Sequence, residues 1–108
     1  REDFKLALST SEGTFFFKPE EIVRLEGESN YTRFFFTEKR PILTSKTLKD
    51  FEDILNSHGF LRIHKSHIVN RQHITNLSGD GILTMVDESK VEISRRRRSE
   101  ISELLRSG

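Results

Sequence analysis

The chain contains no cysteine. That excludes a disulfide framework and any thiolate metal site, so packing alone must hold the fold. A reducing cytoplasm fits this, and a cytoplasmic location is the expectation. No apolar run approaches the length needed to cross a bilayer, and the opening residues REDFKLAL have neither an initiator Met nor the pattern of a signal peptide. The chain is therefore expected to be a piece of a longer protein, away from the membrane. It has no glycine-rich phosphate loop and no internal repeat. The most informative absence is of one sign of charge. From Ile54 through Gly79 there is no Asp or Glu, although the whole chain carries 17 acidic residues against 18 Lys and Arg.

That window holds the stretch Phe60 to His73, FLRIHKSHIVNRQH. Phe60, Leu61, Ile63, Ile68 and Val69 can anchor strands in a core, Arg62, Lys65 and Arg71 are cationic, and the remaining residues are neutral hydrogen-bonding groups. A surface that must approach phosphates gains from Lys and Arg and loses from each nearby carboxylate, so an anionic partner is one reading. Chance in a short window is the other. Net charge is only +1. Its distribution is uneven, with 9 basic against 11 acidic residues in 1–59 and 9 against 6 in 60–108.

At 108 residues, 33% hydrophobic and with nine Phe, the chain suits one β-rich domain. Phe4, Leu6 and Leu8 alternate with polar residues, Ser11 to Gly13 supply a turn, and Thr14 to Lys18 completes a hairpin. Pro19 closes that strand and Glu20 and Glu21 fit a single helical turn. Strands follow at Ile22 to Glu26, Tyr31 to Thr37 and Ile42 to Ser45, with a turn at Gly27 to Asn30. Thr47 and Asp50 make a short capping box for a helix whose apolar face is Leu48, Phe51, Ile54 and Leu55, and Gly59 falls where a C-terminal cap would. Further strands are expected at Phe60 to Ile63, Ile68 to Val69, Ile74 to Leu77, Ile82 to Val86 and Val91 to Ser94. Ile101, Leu104 and Leu105 then mark an amphipathic helix with Ser94 or Ser99 as N-cap.

Ser94 is followed by Arg95, Arg96, Arg97 and Arg98. At the start of a helix four guanidinium groups oppose the macrodipole by tenths of a kcal/mol each, and a bound phosphate reverses that sign. An Arg entering a major groove pairs bidentately with guanine; the alternative is a solvated or frayed charge run. His64 and His67 form an H-x-x-H pair, but strand spacing puts residues three apart on opposite faces and no carboxylate is near in sequence, so no metal is expected. Ser66 lacks a local acid to orient a histidine base, and no enzyme activity or cofactor is expected. Phe15 to Phe17 and Phe34 to Phe36 suit strands buried on both faces, with base stacking on a single strand as the alternative; Tyr31 is expected to be exposed.

The segments IVRLEGESNY (Ile22 to Tyr31), TLKDFEDIL (Thr47 to Leu55), FLRIHKSHIVN (Phe60 to Asn70), ITNL (Ile74 to Leu77) and VEISRR (Val91 to Arg96) together resemble the LytTR-type DNA-binding domain of bacterial response regulators. The resemblance covers nearly the whole chain, and F-x-R-x-H-K-S-x-I-V-N followed by S-R-R is its most specific part. It implies a mainly β fold, an elongated arrangement of small antiparallel sheets with one packed helix and a C-terminal helix. It also implies that loops rather than a recognition helix enter the DNA major groove. Carried over, Thr32, Lys65 and Arg96 are the base-reading positions, Thr32 on the alignment alone. Asn30, Tyr31, Arg33, His64, Ser66, Asn70, Ser94, Arg95 and Arg97 are candidates for backbone contact or loop shaping, with Asn70 open to either role. The implied function is sequence-specific binding of double-stranded DNA by the output domain of a bacterial two-component regulator. Repeated half-sites bound by two copies and an N-terminal receiver or sensory domain belong to the same expectation. A module for single-stranded nucleic acid, or for an acidic protein, is the alternative.

Overall fold

The computed structural model describes residues 3–107 and measures 41 × 34 × 24 Å along its principal axes. Its centre is a five-stranded antiparallel sheet of β3 (Ile22–Glu28), β4 (Tyr31–Phe36), β5 (Ile42–Thr44), β6 (Phe60–His64) and β7 (His67–Asn70), in the order β5-β4-β3-β7-β6. A hairpin of β1 (Leu6–Thr10) and β2 (Gly13–Phe17) precedes it, and a three-stranded sheet of β8 (Ile74–Leu77), β9 (Ile82–Met85) and β10 (Lys90–Glu92) follows. Helix α1 (Leu48–Leu55) lies between β5 and β6, and α2 (Arg98–Ser107) ends the described chain.

Alternation along the central strands sends side chains to two separate cores. On one face Ile22, Leu25, Phe34, Phe36 and Ile68 pack with Leu48, Phe51 and Leu55 of α1 and with Leu6, Leu8 and Phe17 of the hairpin. On the other, Val23, Ile63 and Val69 pack with Leu83, Met85, Val91, Ile93 and Ile101. A register shift between Ile22 and Arg24 lets Ile22 and Leu25, three residues apart, face the same core.

Most of the expected elements are present, with informative differences. Strand β3 runs through Gly27 and Glu28, so the expected four-residue turn is only Ser29 and Asn30, with Glu28 paired to Tyr31 and Ser29 at φ 56°. The capping box forms reciprocally, the Asp50 N–H donating to Thr47 Oγ1 at 3.4 Å and the Thr47 N–H to Asp50 Oδ2 at 3.2 Å. Ile54, expected on the apolar face, is 40% exposed, because at 100° per residue it falls roughly 90° from the stripe of Leu48, Phe51 and Leu55. Gly59 is left-handed at φ 86° and closes the 3-10 turn that follows α1.

The two Phe runs part company. Phe34 and Phe36 are buried and Phe35 lies under the Arg24 guanidinium, 3.9 Å from its ring centre. Phe15 and Phe16, expected in a core, are 40% and 62% exposed. In the two-stranded sheet Phe16 alternates to the face opposite Phe17, and of this run only Phe17, paired with Leu6, reaches the core. At the other end, strand β10 stops at Glu92, a 3-10 turn covers Arg95–Arg97, and α2 starts at Arg98. Ser94 takes the N-cap position of that turn without a side-chain cap bond, Ser99 is inside α2, and Leu104 is 40% exposed.

Candidate nucleic-acid interface

The register of the central sheet gathers three of the expected segments at one end. Strand β3 runs antiparallel to β7 with Glu26 opposite His67, so the Ser29-Asn30 turn and the β6-β7 turn at Lys65 and Ser66 project from the same end. The Gly27 N–H donates to the Ser66 carbonyl at 2.9 Å and ties the two hairpins together. The arginine turn joins them from the edge strand. The Ser94 N–H donates to the Ile63 carbonyl at 2.9 Å, and Arg97 Nη1 donates to the Arg62 carbonyl at 3.0 Å.

Arg62 is the organiser of the β6-β7 tip. Its Nε donates to the His64 carbonyl at 2.8 Å, its Nη2 to the Lys65 carbonyl at 2.7 Å, and its Nη1 pairs with Glu52 on α1 at 2.6 Å. A planar fork with several donors is suited to holding two carbonyls and a carboxylate at once. The sequence placed Arg62 among the cations that face a partner; the structure instead spends it inside the loop. His64 Nδ1 accepts from the Ser66 N–H at 3.0 Å, which leaves Nε2 as the ring nitrogen available to a ligand. Lys65, at the tip, is exposed.

Thr32 does not fit the base-reading role expected for it. It is fully buried, its hydroxyl donates to the Lys46 carbonyl at 2.8 Å, and its own carbonyl accepts from Thr44 Oγ1 at 3.4 Å. The bond it makes has a consequence for the site. Thr32 pairs with Thr44 across β4 and β5, so the Ser45-Lys46 connection is held at the same sheet end, and Lys46 is exposed there. No local pattern marked Lys46; only the strand pairing brings it in. Asn70 resolves toward loop shaping. It is 2% exposed, its Nδ2 donates to the Pro19 and Ile22 carbonyls at 3.1 and 2.9 Å, and its Oδ1 accepts from the Gln72 N–H at 3.0 Å.

Asn30 and Tyr31 are exposed, Tyr31 at 49%. Arg33 is engaged in a bidentate pair with Glu28 at 2.8 and 3.2 Å, which lowers the Glu28 carboxyl pKa and raises that of Arg33. Arg95 and Arg96 are exposed, Arg97 is half-buried, and the Ser94 hydroxyl is buried without a hydrogen-bond partner.

Three carboxylates that the fold brings toward this end are taken by arginines, Glu26 by Arg24 at 3.2 Å, Glu28 by Arg33, and Glu52 by Arg62, while Asp50 caps α1 through the Thr47 N–H and makes no ion pair among the described residues. Among the described residues Lys46, Lys65, Arg95, Arg96 and Arg97 make no ion pair, so the free charge left at this end is positive.

The histidines meet after all. Because Lys65 and Ser66 form the turn, His64 and His67 are cross-strand partners with ring centres 5.1 Å apart, contrary to the opposite faces expected from strand spacing. Among the described residues no group of three or more His, Cys, Asp or Glu is placed to hold a metal ion. Burial lowers the pKa of His67, with His64 and Arg24 acting the same way and Glu26 opposing them. The cavity of about 630 Å³ lined by Phe4, Pro19, His58 and Asn70 lies at the far end of the sheet.

Residues 12–106 match the LytTr DNA-binding domain family. A curated relative, the heme-containing CO-sensing transcriptional regulator RcoM 1 of Paraburkholderia xenovorans (strain LB400), is 30% identical over 97% of this chain and 41% of its own length. RcoM 2 of the same organism is 29% identical over the same shares. This chain thus spans less than half of either relative. Among solved structures, the LytTr DNA-binding domain of a putative methyl-accepting/DNA response regulator from Bacillus cereus superposes with a TM-score of 0.82 at 26% identity, covering 96% of this chain and 98% of that one. No helix among the described residues is long and apolar enough to cross a membrane. The chain belongs to the LytTR family of DNA-binding domains.

Proposed function

We propose that the domain binds double-stranded DNA sequence-specifically and reads the major groove with its loops. The observation that carries this is the convergence at one sheet end of the β6-β7 tip, the β3-β4 turn and the arginine turn, with Glu26, Glu28 and Glu52 paired to arginines and several cations left free. A major groove about 12 Å wide admits a two-stranded ribbon, which is what β6 and β7 present. Lys65 and Arg96 read base edges; Asn30, Tyr31, His64, Ser66, Lys46 and Arg95 meet the backbone, and Arg33 does so in exchange for Glu28. Ser94, Arg97 and Asn70 shape the loops.

In the longer protein this domain serves as the output of a transcription regulator, with a receiver or sensory region on its N-terminal side and two copies on repeated half-sites. The exposed Phe15 and Phe16 favour a second reading, stacking of single-stranded bases. Selection from a random duplex library, with single strands as competitors, separates the two. An enriched motif that single strands fail to displace supports groove reading. No motif, or displacement by single strands, rejects it.

A further inference from the structure

Beside the arginine turn runs a second cationic feature. A groove of about 770 Å³ separates the Ser78-Gly79 turn from α2 and is lined by Arg95, Arg98, Ser99, Ser102 and Arg106, with Glu103 as its one acid. We infer that it is a second phosphate site, which holds a backbone phosphate of the duplex outside the segment read by Lys65 and Arg96. The inference rests on the DNA-binding reading above and extends it along the duplex.

Three observations support it. A 3-10 turn has three residues per revolution, so Arg95, Arg96 and Arg97 point in three directions. Arg97 turns inward to the Arg62 carbonyl, Arg96 is exposed, and Arg95 lines the groove, so the groove is continuous with the interface. Second, its walls are fixed. The Arg98 guanidinium lies against Gly81, where a side chain would collide with it, and donates to the Ile93 carbonyl at 3.1 Å while pairing with Glu92 at 3.5 Å. Gly81 is left-handed at φ 81°, a second reason for glycine there. Third, the chemistry is that of a phosphate. Among the described residues Arg95 and Arg106 make no ion pair, and guanidinium forks together with serine hydroxyls supply several donors that the oxygens of one phosphate can accept at once.

The test uses two duplexes carrying the selected motif, one trimmed to it and one extended by about one helical turn, 10 base pairs, on each side. The intact chain should gain affinity on the extended duplex. Arg106→Gln should match it on the trimmed duplex and lose roughly three- to tenfold on the extended one, with a salt slope shallower by about 0.9. Glu103→Gln, which removes the opposing charge, should tighten binding to the extended duplex. Arg40→Gln, exposed at the opposite end of the central sheet, is the control and should change neither.

Equal binding of Arg106→Gln and the unaltered chain to the extended duplex overturns the inference. So does saturation of the Ser102 amide resonance by millimolar inorganic phosphate without any gain on extension, since the groove would then serve a free anion. Failure of the unaltered chain to prefer the trimmed motif over a scramble rejects the DNA reading itself, a result separable from loss of the flank effect.

Discussion

Arg62 Nη2 donates to the main-chain carbonyl of Lys65 at 2.7 Å. Lys65, which we propose enters the groove, is thus positioned by a residue that is itself largely covered, its side chain 17% exposed, and that anchors the tip to α1 through Glu52. Arg62→Ala releases two carbonyls and leaves Glu52 without its partner. It should cost about 1–3 kcal/mol of stability in urea melts and weaken DNA binding at equal concentrations of folded protein. Arg62→Lys keeps the charge but not the fork, so it should not restore affinity. Full recovery with lysine would show that charge alone matters.

Lys65→Ala and Arg96→Ala should each cost about 1–3 kcal/mol on the selected site and relax preference at one base position. Affinities measured for every single-base variant of the site check this. Equal loss on all sequences would reassign either residue to the backbone.

Thr32→Val and Asn70→Ala act on the fold. Removing the Thr32 hydroxyl leaves the Lys46 carbonyl without that donor and should cost about 1 kcal/mol, with base preference unchanged. Asn70→Ala unpairs two carbonyls and one N–H in a buried site and should cost about 2–4 kcal/mol by denaturant titration. A changed base preference in Thr32→Val would return that residue to the interface.

The elements legible in the sequence were those with local signals. The capping box of α1, the proline-closed strand and the alternating strands each carry a pattern only a few residues long. The acid-free window located the β6-β7 tip, and the arginine run located the third segment. Less legible were roles decided by partners far along the chain. The resemblance assigns Thr32 to base reading on the alignment alone and leaves Asn70 open to backbone contact or loop shaping, yet they satisfy backbone groups 14 and 48 to 51 positions away. Arg62 and Lys65 are both cations in one basic stretch, and only the fold makes one a brace and leaves the other exposed at the tip. Phe36 is buried with its ring 4.4 Å from that of Phe17, whereas Phe15 in a matching run stays 40% exposed, and nothing local to either run tells them apart.

His67 gives a pH dependence. Its pKa lies below the ordinary 6.5, chiefly because burial disfavours the charged ring. As pH falls past about 6.5 the unfolded chain takes a proton there while the folded one does not, so stability drops until the lower folded pKa is passed. Above that window both states are neutral and the residue contributes no slope. His67→Gln should therefore flatten the fall in urea midpoint between about pH 7 and pH 5. An unchanged slope would place the titration elsewhere.

The most direct test of the account is fluorescence anisotropy of the selected duplex against a scramble over a salt series, for the unaltered chain and Lys65→Ala. The account predicts a preference of at least about a thousandfold for the selected duplex, affinity falling steeply with salt, and much of that preference lost in Lys65→Ala. Equal affinity for both duplexes, or a preference untouched by Lys65→Ala, would contradict groove reading by the β6-β7 tip.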